Sequence, residues 1–191
     1  MRLAGQATRE RILAAAKKEF AERGPDGARI NRIAAEANAS KERLYAYFPS
    51  KEQLFAAVAE QLAVDVSAET ALADDDIPAY AGRLFDSYAR NPDNARLHDW
   101  LNFATRDLQD DSPQITSLKV KIDAIRQGQE AGRINSRWDP AQLLIMVIEI
   151  AKSMADPKDV SRHLFKTNRQ ANTRAARRAA TIEATRLLCE G

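Results

Sequence analysis

Apolar residues recur at helical spacing along almost the whole chain, and no stretch of useful length alternates as a strand would. Ile12, Leu13, Ala16 and Phe20 share one helix face, and Gly24-Pro25-Asp26-Gly27 stops that helix. Ile30, Ile33, Ala34 and Ala37 mark a second, short helix, which has to end near Asn38 because Ser40 is a fresh N-cap signal. A third covers about 41–47, burying Leu44 and Phe48 at i and i+4, and Pro49 closes it. Ser50 as N-cap and Gln53 at N3 form a capping box for a fourth helix, striped by Leu54, Phe55, Val58 and Leu62.

Asp74-Asp75-Asp76 reads as a solvated turn between this part and the rest. Beyond it, Ile77, Tyr80, Ala81, Leu84, Phe85 and Tyr88 form one helical stripe. Leu97, Trp100, Leu101, Ala104 and Leu108 form another after Pro92. Asp110-Asp111-Ser112-Pro113 opens a helix with Ile115, Leu118, Ile122 and Ile125 inward and Gly132 at its end. After Asp139-Pro140, the run Leu143, Leu144, Ile145, Met146, Val147, Ile148, Ile150 and Ala151 leaves almost no polar face, so something has to cover it on every side. A last helix, from about 168 to 189, carries two rows of small residues, Ala171/Ala175/Ala179/Ile182 and Ala176/Ala180/Ala184/Leu187. Such rows let helix axes approach closely, which makes the last two helices the expected self-association surface. Arg174, Arg177 and Arg178 between the rows read as a wet helix face.

Composition narrows the class. Only seven Gly and seven Pro in 191 residues leave few turns, which favours long helices over a sandwich or barrel. Cys189 is the single cysteine, so no internal disulfide forms, and a reducing, cytoplasmic location is expected. No apolar run reaches membrane-spanning length, and residues 1–6 lack the apolar stretch of a signal peptide. Net charge is only +2, yet residues 1–55 hold 11 Lys+Arg against 7 Asp+Glu, which makes the first quarter the basic part. His98 and His163 stand far apart and outside any zinc spacing, and no phosphate loop, dinucleotide fingerprint or nucleophile elbow occurs. Neither an enzyme, a metal site nor a cofactor is expected.

Two short helices joined by a tight turn and braced by longer helices match the helix-turn-helix plan, which places one helix in the DNA major groove. The stretch 29–54, RINRIAAEANASKERLYAYFPSKEQL, resembles the DNA-binding domain of the tetracycline-repressor (TetR) family of bacterial regulators. The likeness covers residues 8–62 and rests most on Leu44-Tyr45-x-Tyr47-Phe48 followed by Ser50-Lys51-Glu52-x-Leu54. Asn38 stands at a turn position where the family usually has glycine; it is the next most tolerant type for positive φ. With Ser40 as cap, Lys41, Glu42 and Arg43 are free to meet DNA. Arg43 is the first choice for reading a guanine edge, and Glu42, in place of a frequent glycine, is suited to accept from cytosine N4 or to exclude wrong sequences. Tyr45 fits a thymine methyl or a phosphate. Lys51, in the first turn of helix 4, fits a phosphate clamp. The resemblance implies phosphate binding by Tyr47. It leaves the same role open for Arg29, where the family usually has threonine.

The resemblance implies an all-α protein of about nine helices, with a DNA-binding domain over 1–66 and an effector-binding and dimerisation domain over 67–191. It further implies a homodimeric repressor that binds a palindromic duplex operator and is released by a small molecule. Tyr80, Phe85, Tyr88, Trp100, Phe103 and Met146 are the pocket candidates, and an apolar or aromatic effector is expected. The rival reading is a DNA-bound protein of this fold that recruits a protein partner or organises the nucleoid, with no small-molecule effector.

Overall fold

Short polar side chains set where the helices begin. In the computed structural model, which describes residues 2–72, 76–104, 112–156, 163–164, 166 and 168–190, Ser40 Oγ accepts from Arg43 N at 3.1 Å, and Ser50 Oγ from Gln53 N at 3.2 Å. Asp76, Ser112, Asp139 and Thr173 cap later helices in the same way. Among the described residues there are nine helices and no strand. They are α1 (Arg2–Gly27), α2 (Ile30–Glu36), α3 (Lys41–Tyr47), α4 (Lys51–Glu69), α5 (Ile77–Arg90), α6 (Pro92–Ala104), α7 (Pro113–Glu130), α8 (Pro140–Ala155) and α9 (Arg174–Cys189).

Residues 1–63 and 93–108 form one compact unit, and 64–92 with 109–191 a second. The core of the first is the expected one: Ile12, Phe20, Ile33, Leu44 and Leu54 are buried, and Phe20 meets the Phe55 ring edge-to-face at 5.0 Å. α6 packs within the first unit. A close approach shows why: Gly24 backs onto the Trp100 ring, where an added Cβ would come within 2.9 Å of the ring carbons. Gly24 also carries φ 69° and breaks α1 at the expected place, with Pro25 starting a final turn.

In the second unit α9 packs on α5 and α8, and α7 on α8. Its core holds Ile77, Tyr80, Leu84, Phe85 and Tyr88 of α5, Ile125 of α7, and Leu143, Leu144, Val147 and Ala151 of α8. One expectation is corrected here. The last helix begins at Arg174, not near residue 168. Asn168 Oδ1 accepts from Ala171 N at 3.1 Å in a local turn, and Thr173 takes over as cap. Arg174 is exposed and Arg178 half-exposed, in keeping with a wet face, and both reach Asp86 of α5, Arg178 at 2.8 Å. Arg177 donates to Met154 O at 2.8 Å and also to Asn172. Of the acidic turn, Asp76 is the N-cap of α5, with Oδ1 2.9 Å from Ala79 N; Asp74 and Asp75 lie outside the described residues, as do Leu108, Asp110 and Asp111. Burial, with Glu190 and Asp76 adding, pushes the Cys189 thiol up to about 11, so it stays protonated near neutral pH.

Gly24 and Gly132 both have positive φ, 69° and 72°, but nothing lies within 4 Å of a Cβ added at Gly132. Gly132→Ala is therefore expected to cost about 1–2 kcal/mol of backbone strain alone. Gly24→Ala should cost clearly more because of Trp100. Urea unfolding of the two variants checks this, and equal losses would remove the Trp100 contact as a constraint.

Candidate nucleic-acid interface

The turn between α2 and α3 is built as a helix C-cap. Asn38 sits at φ 49°, Asn38 N donates to Ala35 O at 3.1 Å, and Ala39 N to Ala34 O at 2.9 Å, the hydrogen-bond pair of a Schellman motif. A second brace comes from α1: Arg11 Nε donates to Ala37 O at 3.1 Å and so satisfies a terminal carbonyl of α2. Sequence reasoning missed Arg11, since its partner lies 26 residues away and no local pattern marks the pair.

From this turn, α3 leaves with Leu44 buried on one side, Phe48 buried just past its end, and Lys41, Glu42, Arg43, Tyr45 and Ala46 exposed. Arg9 of α1 lies over the Phe48 ring at 5.3 Å, a further contact that the sequence did not reveal. Lys41 Nζ lies 5.9 Å from the Tyr45 ring centre, so these two exposed side chains share one edge of the helix. The Glu42 carboxylate folds back on the helix start. Its own backbone N–H, then the Ser40 hydroxyl, with Lys41 adding, hold its pKa below the usual carboxylate range.

The phosphate candidates are less uniform. Lys51 is half-buried and its Nζ donates to Asp26 O at 3.3 Å, which leaves two of its three N–H groups for another acceptor. Tyr47 is half-buried, with its hydroxyl 3.3 Å from the Cβ position of Gly5 in α1. Arg29 is exposed and is the N-cap of α2 without a side-chain cap bond. Glu19 Oε1 accepts from Arg29 N at 3.2 Å, satisfying the backbone N–H at the start of α2. Ser40 is exposed as well. An open groove of about 510 Å³ between α1 and α2 is lined by Lys18, Glu19, Glu22, Arg32 and Glu36, so carboxylates outnumber cations there and a polyanion would avoid it.

The pocket candidates are distributed over both units. Tyr80, Phe85 and Tyr88 are 2%, 0% and 2% exposed in the core on α5, and Met146 is half-buried on α8. Trp100 belongs to the first unit, 37% exposed, and the Phe103 side chain lies outside the described residues.

Residues 12–58 match the family "Bacterial regulatory proteins, tetR family", and residues 76–186 match "Tetracyclin repressor-like, C-terminal domain". The HTH-type transcriptional repressor SCO4008 of Streptomyces coelicolor is 38% identical over 148 residues, covering 76% of this chain and 77% of that one. The crystal structure of SCO4942, also from Streptomyces coelicolor, superimposes with a TM-score of 0.84 at 38% identity, covering 95% of this chain and 98% of that one. The transcriptional regulator FadR from Bacillus subtilis, crystallised in complex with stearoyl-CoA, shares the fold at a TM-score of 0.65 and 17% identity, covering 95% and 99% of the two chains.

Ser40→Ala removes the acceptor for Arg43 N and is expected to cost about 1 kcal/mol of stability, whereas Ser40→Asp, which also caps, should stay within about 0.5 kcal/mol of the parent. Thermal or urea unfolding decides; equal losses in both variants would mean that the cap does not hold the start of α3.

Proposed function

The chain belongs to the tetracycline-repressor family of bacterial regulatory proteins, and from that premise we propose that it is a transcriptional repressor that binds a palindromic operator as a homodimer and leaves it when a small molecule binds. The observation that carries this reading is the two-sided α3, with Leu44 in the core and Lys41, Arg43 and Tyr45 in solvent beyond the Ser40 cap. In this reading residues 1–66 bind DNA and 67–191 hold the effector and the dimer contact. Arg43 reads a guanine, Tyr45 a thymine methyl or a phosphate, and Lys41 and Glu42 flank them. Tyr47, Lys51 and Arg29 hold phosphates, which set position and not sequence.

A single module of this kind buries only about 600–1,000 Å² on DNA, so operator affinity calls for two copies. Exposed apolar surface supports where they meet: Ile145 is 61% exposed and Leu187 60%, on the two helices that the sequence marks for self-association, and Ala175, Ala179 and Ala180 of α9 are exposed too. Among the described residues no helix is long and apolar enough to cross a membrane, which fits action on cytoplasmic DNA.

Selection of bound sequences from a random duplex pool is expected to return an inverted repeat, and the yield should fall when a metabolite extract is added. On the selected duplex, Lys51→Ala should weaken binding to all sequences alike and lower the salt slope by about one. Arg43→Ala should relax preference at one position per half-site, worth roughly 1–3 kcal/mol of discrimination. Uniform losses from both variants would contradict this division of roles.

A further inference from the structure

Two lysines of the second unit are 7% exposed, and their surroundings differ. Lys152 of α8 has its counter-charge, with Nζ 2.8 Å from Glu149 Oε1. Lys121 of α7 has a hydroxyl: Nζ donates to Ser117 Oγ at 2.8 Å, and Ser117 Oγ in turn lies 2.8 Å from Ser67 Oγ of α4. Four carboxylates of this unit are paired with other cations, Glu69 with Arg90, Asp86 with Arg174 and Arg178, Asp123 with Arg126, and Glu149 with Lys152.

An ammonium withdrawn from water without a carboxylate is costly, and burial accordingly pushes the Lys121 pKa down. A core position would be served better by methionine or leucine, which carry no such cost. The three polar groups in a row are instead suited to a ligand. One cation with N–H groups to spare and two hydroxyls match the charge and acceptor geometry of a carboxylate, while a phosphate dianion would be left with charge uncompensated.

We propose that Lys121, Ser117 and Ser67 form the polar end of the effector site, so that the effector is an apolar molecule bearing one carboxylate. This rests on the reading of the helical unit as a small-molecule receptor and narrows its ligand from apolar or aromatic to amphipathic and monoanionic. Ser67 lies on α4, the helix whose first turn carries Lys51, so a carboxylate at Lys121 would compete for hydroxyls that join α4 to α7.

Calorimetric titration of the full chain with decanoate and 1-naphthoate, and with the neutral decanol and 1-naphthamide, tests it. The carboxylates are expected to bind roughly ten- to hundredfold more tightly than their neutral counterparts, as charge-assisted hydrogen bonds allow. Lys121→Gln should erase that preference, leaving the carboxylates no tighter than the neutral molecules. Lys121→Met should raise the melting temperature of the ligand-free protein. Equal affinity for charged and neutral probes, no binding of either carboxylate, a preference that survives Lys121→Gln, or a lower melting temperature for Lys121→Met would each overturn the assignment. Duplex binding measured on the same samples separates the two readings. Loss of duplex binding with the carboxylate preference intact removes the repressor reading alone, and intact duplex binding without the preference removes this one alone.

Discussion

A seven-residue helix has no stability of its own in water, where isolated helices need about 12–15 residues even to be marginal. Whatever α3 does therefore depends on how its neighbours hold it, and the anchor is the burial of Leu44 and Phe48 at i and i+4. That spacing fixes one side of the helix in the core and leaves the other in solvent. Ser40 then fixes where the helix starts, Asn38 the angle at which the chain enters it, and Arg11 the carbonyl end of the helix before it. The exposed side chains inherit a rigid mount from these contacts without making them.

Local signals made most of this mount legible. N-caps, the positive-φ asparagine and the i, i+4 pair act within a few residues, so α2, α3 and the start of α4 lie where the sequence placed them. What remained hidden is carried by contacts between distant residues. The Arg11 bond to Ala37, the Glu19 carboxylate accepting from Arg29 N, and the Asp86 pairing with Arg174 and Arg178 join positions that no periodicity connects. The same limit explains Trp100, which shares a helical stripe with Leu97 and Leu101, yet α6 falls in the first unit because Gly24 leaves room for its ring. At the last helix two local rules competed. Alanine spacing extended the helix back to Asn168, and the turn-forming side chains of Asn168 and Thr173 won.

Charge placement separates the two ends of the chain's chemistry. On α3 the cations stand in solvent, where a polyanion can reach them and where salt will weaken the contact. Lys121 holds its cation out of water against the Ser117 hydroxyl, and in the proposed effector site the same type of group becomes selective for a small anion that can be desolvated with it. Exposure, more than residue type, sets the class of ligand at each place.

The central claim is that the solvent face of α3 is the surface that enters the major groove. Photocross-linking the protein to its selected duplex, with 5-bromouracil replacing thymine in the half-sites, followed by mass spectrometry of the adducts, tests it most directly. Adducts concentrated on Lys41, Arg43 and Tyr45 are the expected result. Adducts that avoid α3 and fall on another helix would contradict it.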